Sequence, residues 1–273
     1  MIPGQIIGNS VIINKVSTDA SLYTIDPSAE IYYEVVRMIE GKLLFLTDHL
    51  ERLKKTLVSA KIKYPGDEKI IHSLKYLISE SQINSGNIKI SLSKKTDEQI
   101  KTIVHFVTHF YPDEEMYENG VNTLTYKHTR NHPGIKKWDN NFRRSVNDFI
   151  VKNNIYEAIL TNEQGFITEG SRSNIFFISR EKGIYTAPSD EILEGITRKY
   201  VIEIIRKTDI PLKEKLINGE TASQFESCFI TGTSPKVLPV RQMDQISFKA
   251  NNSILKSIMH QFNALIRKHL LVL

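Results

Sequence analysis

The chain has 273 residues, 40% of them hydrophobic and 25% charged, with 13 Gly and 9 Pro, a composition that excludes collagen-like, coiled-coil and disordered classes and leaves room for two packed domains. Its net charge of +5, from 36 Lys and Arg against 31 Asp and Glu, is spread along the whole length, which suits mild attraction for anions and argues against nucleic acid as a partner. The single Cys228 cannot close an intrachain disulfide. It follows an acidic, aromatic stretch into an apolar one and is expected to be a buried thiol in a reducing compartment.

In chain order, residues 1–46 read as a β-meander, with strands at Gln5–Ile13, Tyr33–Met38 and Leu43–Leu46 and a turn at Glu40 and Gly41. No charged leader precedes them, and no apolar run nears the ~18 residues that cross a membrane, so a cytoplasmic protein is expected. Asp48 and Glu51 have the spacing of a capping box, and Leu50, Leu53, Leu57 and Ala60 follow at helical intervals, predicting a helix over 48–61 with Arg52 beside its apolar stripe. A second helix over Asp67–Ser81 carries Ile70, Ile71, Leu74 and Leu77. Strands at Ile88–Ser93 and Ile100–Phe110 complete an α+β unit. The stretch from Tyr111 to Glu115 is polar, holds a Pro and lacks periodicity, so residues 112–119 are read as a linker between domains of residues 1–114 and 115–273.

The second half alternates strands and helices. Strands are predicted at Val121–Tyr126, Glu157–Thr161, Phe166–Thr168, Asn174–Ile178, Gly183–Thr186, Leu212–Leu216 and Ser227–Thr231. Helices are predicted over Asn140–Lys152, Ile196–Lys207 and Ser253–His269.

Three short segments of the second half could carry chemistry. Gly195, Ile196 and Thr197 open a helix, where unpaired backbone N–H groups and a hydroxyl suit a phosphate, although a plain loop end would read the same. Thr231, Gly232, Thr233 and Ser234 form a hydroxyl-rich turn after an apolar strand. Glu169, Gly170, Ser171, Arg172, Ser173 and Asn174 set a carboxylate and small polar groups between two strands, as a surface turn would. Other groupings have plainer readings. His105 and His109 alternate on one strand without a Cys or carboxylate beside them and read as strand-surface residues, so no metal site is expected. Asp139, Asn140 and Asn141 after Trp138 read as helix caps. The pairs Lys54 and Lys55, Lys94 and Lys95, and Arg143 and Arg144 read as solvated faces.

Taken together, these segments resemble one family. Tyr33, Glu34, Val35 and Val36, then Gly41 and Lys42, His49 to Leu53, Gly134 to Lys136, Tyr156 to Leu160, Ile167 to Phe176, Leu193 to Arg198, and Gly232 and Thr233 before Leu238, Pro239 and Val240 follow the order of the fold type IV, or class IV, aminotransferases. The resemblance implies an α/β (α+β) two-domain fold, with a smaller N-terminal α+β domain and a larger C-terminal pseudo-barrel domain that binds the cofactor. It implies pyridoxal 5'-phosphate as cofactor, amino acids and 2-oxo acids as substrates, and a homodimer. Residue by residue, it implies that Lys136 bonds the cofactor aldehyde, that Glu169 pairs with the pyridine nitrogen, and that Arg52, Ile196, Thr197 and Thr233 hold the phosphate. Lys136 rather than Lys137 continues the family's Gly-Ile-Lys, and it stands 20 residues before Tyr156, as in the resembling enzymes.

Tyr33, Lys89, Lys94 and Ser234 are the candidates on the substrate side. Here the chain departs from the family. Ala29 to Tyr32 replaces a Gly-Asp-Gly-type turn, Lys89 and Lys94 stand where relatives carry an arginine, and Lys236 replaces a Glu. The reading favours an aminotransferase working by ping-pong chemistry. The alternatives are a lyase resembling aminodeoxychorismate lyase, which releases pyruvate and 4-aminobenzoate, and a cofactor-binding protein that has lost turnover.

Overall fold

The structure, a computed structural model, describes residues 5–272 apart from 97 and 182. The chain divides into two compact units: residues 1–110, 135–139 and 269–273 form the first, and residues 111–134 and 140–268 the second.

The first unit contains β1 (Ile6–Ile13), β2 (Val16–Asp19), β3 (Glu30–Ile39), β4 (Lys42–Leu43), α1 (Leu46–Ser59), α2 (Asp67–Glu80), β5 (Gly86–Lys94) and β6 (Lys101–Val107). Its strands make one antiparallel sheet in the order β2-β1-β6-β5-β3-β4. The expected meander is therefore corrected: β1 pairs with β6, and β3 takes β5 along its length. Residues 43–46 are also shorter as strand than expected, because the chain leaves β4 at Leu43 and enters α1 at Leu46 through Phe45 in the left-handed region.

The pleat sorts the side chains of this sheet. Tyr32, Val36, Met38, Ile88, Ile90, Leu92, Val104 and Phe106 face α1 and α2, where Leu50, Leu53, Leu57, Ile70, Leu74 and Leu77 close the core. Fully burying each such side chain contributes about 1.5–3 kcal/mol, so the core fixes the register. The register in turn sends Tyr33, Lys89, Ser91 and His105 to the opposite face. His105 is buried there, not on the strand surface as expected, since Tyr23 lies against its ring.

The second unit contains α3 (Glu114–Asn119), β7 (Val121–Lys127), α4 (Asn140–Lys152), β8 (Glu157–Thr161), β9 (Phe166–Gly170), β10 (Asn174–Ser179), β11 (Ile184–Thr186), α5 (Ile196–Ile205), β12 (Leu212–Glu214), β13 (Ile217–Asn218), β14 (Phe225–Gly232), β15 (Lys236–Met243), β16 (Ile246–Ser247) and most of α6 (Ser253–Val272). The strands form a mixed, curled sheet in the order β12-β11-β10-β14-β15-β7-β8-β9-β13, with β16 on β15. Residues 114–119, expected as linker, are helical. The Asp113 side chain accepts from the Met116 N–H at 2.9 Å, an N-cap that a six-residue helix shows as a turn signal and not as periodicity.

Ile175, Phe177, Cys228, Ile230, Leu238 and Val240 fill one face of this sheet. Cys228 is fully buried, as expected, and burial pushes its thiol well above the ordinary range. Among the described residues no helix is long and apolar enough to cross a membrane.

Candidate active site

Each unit presents a polar cluster built by its own sheet. In the first, residues 136–138 run along the free N-terminal edge of β3. The Tyr33 N–H donates to the Lys136 carbonyl at 3.1 Å and the Trp138 N–H to the Ile31 carbonyl at 2.7 Å, with Lys137 bridged to Tyr32. Extended chain alternates its side chains, so the two lysines part. The Lys136 amine lies 5.0 Å from the Tyr33 ring centroid, whereas Lys137 is exposed and ion-paired with Glu30. The ammonium of Lys89 lies 3.7 Å from the Trp138 ring centroid and 5.2 Å from that of Tyr33, and the residue is only 5% exposed. Lys94 sits at the end of β5 and donates to the Glu98 carbonyl.

Arg52 and His49 of α1 both reach the fully buried Glu34. Arg52 donates from Nε to Oε1 at 2.7 Å and from Nη2 to Oε2 at 2.6 Å, a bidentate fork, and His49 Nδ1 lies 2.8 Å from Oε2. Burial would raise the Glu34 pKa, but the Arg52 charge and the hydrogen bonds from His49 and Arg52 outweigh it and hold the carboxyl well below its usual range. Burial, reinforced by Arg52 and Lys136, also keeps the His49 pKa below its ordinary value despite Glu34. An ionised carboxylate only accepts, so neutral His49 carries its proton on Nδ1.

In the second unit, Glu169 ends β9 buried, accepting from Arg130 Nε at 2.5 Å and from the Leu193 N–H at 3.3 Å. Asn174 opens β10 and clamps the approach to α5: its Nδ2 donates to the Leu193 carbonyl at 2.9 Å and its Oδ1 accepts from the Gly195 N–H at 3.0 Å. Only glycine fits at 195, because a Cβ would stand 2.2 Å from Asn174 Oδ1. The helix that follows begins without a side-chain cap, which leaves the first-turn N–H groups of Ile196 and Thr197 for an outside acceptor.

The turn after β14 lies against the same loop. Thr231 pairs across the sheet with Asn174, and a Cβ on Gly232 would stand 3.3 Å from the Arg172 carbonyl. The Thr231 hydroxyl is buried without a hydrogen-bond partner, and Thr233 and Ser234 follow half-buried. An uncapped helix start, a neighbouring orphaned hydroxyl and the threonine side chains form a donor set that fits a phosphate dianion.

The structure thus brings Glu169, Ile196, Thr197 and the turn of Thr233 and Ser234 into one cluster of the second unit, and Tyr33, Lys89 and Lys136 into one of the first. Arg52 sits on Glu34, and Lys94 stands apart. Two expectations are corrected. Arg143 is buried, not solvated, and donates to the Ser171 carbonyl at 2.7 Å. The Asp48 capping box does not form: α1 starts two residues earlier with Phe45 as its cap, whose N–H donates to His269 Nε2 at 3.1 Å, so Asp48 falls in the first turn. Arg130 escapes a reading of the sequence, since nothing in its polar loop marks it.

Residues 32–243 match the family model described as amino-transferase class IV. The chain is 29% identical over 232 residues to a D-alanine aminotransferase of Staphylococcus haemolyticus, covering 78% of this chain and 79% of that one. It is 30% identical, at the same coverage, to that of Staphylococcus aureus strain N315. Among solved structures, a T.th. branched-chain amino acid aminotransferase with pyridoxamine 5'-phosphate superposes with a TM-score of 0.84 at 19% identity, over 97% of this chain and 96% of that one.

Proposed function

The chain belongs to the class IV aminotransferases, pyridoxal 5'-phosphate enzymes, and from that premise we propose which of its residues serve cofactor and substrate. The observation that carries the proposal is the uncapped start of α5 beside the Asn174 clamp and the buried Glu169. Ile196, Thr197 and Thr233 bind the phosphate through N–H and hydroxyl groups, and Arg52 adds positive charge. Glu169 holds a proton at the ring nitrogen while Arg130 keeps its carboxylate in place. When bound, the cofactor supplies an electron sink for exchange of the amino group between an amino acid and a 2-oxo acid. Lys136 would hold the cofactor at its aldehyde end through its amine, and its Nζ would move the proton at the substrate Cα.

Tyr33, Lys89, Lys94 and Ser234 are assigned to the substrate. The burial of Lys89 against the Trp138 and Tyr33 rings supports that assignment for Lys89 over Lys94, because a buried ammonium against aromatic rings attracts a substrate carboxylate. A homodimer in the cytoplasm completes the proposal. Mass measurement in solution tests the homodimer.

The test of the function is spectral. Purified protein is titrated with pyridoxal 5'-phosphate and then mixed with single amino acids, beginning with D-alanine and the branched-chain amino acids for which the similar proteins are named. A visible band that a donor bleaches, with release of the matching oxo acid, is expected. Protein that takes up no cofactor would refute the assignments.

A further inference from the structure

Glu157 opens β8, is buried, and has no part in the assignments above. Its carboxylate accepts four hydrogen bonds. Oε1 takes the Ala158 N–H at 3.0 Å and the Ser171 hydroxyl at 2.6 Å; Oε2 takes the Arg172 N–H at 3.2 Å and the Ser173 hydroxyl at 2.9 Å. Four donors fill a carboxylate, and they offset the cost of burying its charge.

Three of those donors come from residues 171–173, the turn that joins Glu169 and Gly170 at the end of β9 to Asn174 at the start of β10. The turn is held from outside as well, by the bond from Arg143 to the Ser171 carbonyl and by the Ser171 N–H donating to the Ala158 carbonyl at 2.9 Å. Gly170 leaves room for the arrangement. A Cβ there would stand 2.0 Å from Ser173 Oγ and 3.1 Å from Glu157 Cγ.

We infer that Glu157 is a positioning residue: by fixing the 171–173 turn it aims the Glu169 carboxylate at one end and sets the Asn174 clamp on Gly195 at the other. This rests on the assignment of Glu169 to the cofactor's ring nitrogen. An apolar residue could fill the space, but it would leave three inward-pointing donors of the turn unsatisfied, each costing about 1–3 kcal/mol. The turn would then reorganise, and both ends would move with it. A group that served stability alone would lower the melting temperature without changing the cofactor's electronic environment.

The experiment compares Glu157→Gln, the double variant Ser171→Ala with Ser173→Ala, and Glu169→Ala as reference. It reads the visible spectrum of bound pyridoxal 5'-phosphate, the dissociation constant of that cofactor from the apoprotein, and amide hydrogen exchange over residues 170–174. Glu157→Gln is expected to shift the spectrum in the same direction as Glu169→Ala, to weaken cofactor binding about fivefold or more, and to speed exchange in the turn. A spectral change in Glu169→Ala together with an unchanged spectrum and affinity in Glu157→Gln would overturn the inference alone. An unchanged spectrum in Glu169→Ala would instead remove the assignment on which it rests. If Glu157→Gln does not fold, the serine pair decides, because it takes one donor from each oxygen and keeps the carboxylate: a spectral shift supports the inference, and an unchanged spectrum overturns it.

Discussion

The Lys136 amine lies over the ring of Tyr33, while the amine of its neighbour Lys137 is turned to Glu30. Adjacent lysines in extended chain cannot share a face, and the backbone bond from the Tyr33 N–H to the Lys136 carbonyl fixes which one faces which way. Borohydride reduction of the holoenzyme followed by peptide mass spectrometry is therefore expected to find the pyridoxyl group on Lys136. Lys136→Ala should abolish the visible band, and Lys137→Ala should retain it. A label on Lys137 would reverse the assignment.

Acid should weaken the first unit through its histidines. Burial, helped by the charge of Lys89 and against the hydrogen bond to the Phe106 carbonyl, pushes the His105 pKa down to about 4, and His49 is lowered as well. A histidine whose pKa is lower in the folded state binds its proton more readily when unfolded, so stability rises with pH in that window. The loss on acidification begins near the ordinary histidine value of about 6.5 and, for His105, continues to about 4. Thermal melts across this range should show a flatter pH dependence in His105→Gln than in the parent. Parallel curves would mean that His105 does not titrate as described. Glu34, held low, keeps its full contribution only down to the ordinary glutamate value of about 4.3 and loses it progressively as the pH falls further.

Much of the fold was legible because periodicity reports burial. The helix over Asn140–Lys152 and the strand Glu157–Thr161 lie where their patterns place them. What was not legible depends on partners far away in sequence. The pairing of β1 with β6 is set by the core and not by local turns. Arg143 reads as half of a basic pair until the Ser171 carbonyl is seen to receive it. At the site, the three motif segments of the second unit could be named from their small and hydroxyl residues, whereas Arg130 sits in a loop without a pattern and is recognised only from its ion pair with Glu169.

The segment that leads into the helix carrying His49 and Arg52 is held by His269 and Leu270 of α6. The Phe45 N–H donates to His269 Nε2, the two rings lie 4.8 Å apart, and Lys42 donates to the Leu270 carbonyl. Loss of one such hydrogen bond costs about 1 kcal/mol, and in a chain of this length that lowers the melting temperature by about 2–4 °C. His269→Ala should show that drop together with faster exchange of the Phe45 amide. His269→Phe, which keeps a ring but no acceptor, should behave the same way if the hydrogen bond is the source. Recovery of full stability in His269→Phe would assign the effect to ring packing.

Lys89 and Lys94 differ by five positions on β5, and their surroundings give them different expected phenotypes. Lys89 is buried at mid-strand against Trp138 and Tyr33, on the face that also receives the Lys136 amine. Lys94 closes the strand on a neighbouring carbonyl. An ammonium in an apolar, aromatic setting is screened less by water than one at a strand end, so its attraction for a carboxylate is the stronger of the two. Lys89→Met keeps the stem and removes the charge. It is expected to raise KM for amino acid and oxo acid by about tenfold or more, a change of roughly 1.4 kcal/mol, while the visible spectrum of the bound cofactor stays as in the parent. Lys94→Met should leave KM within about twofold. The opposite ranking would move the substrate carboxylate to the end of β5, and equal small effects would show that neither lysine receives it.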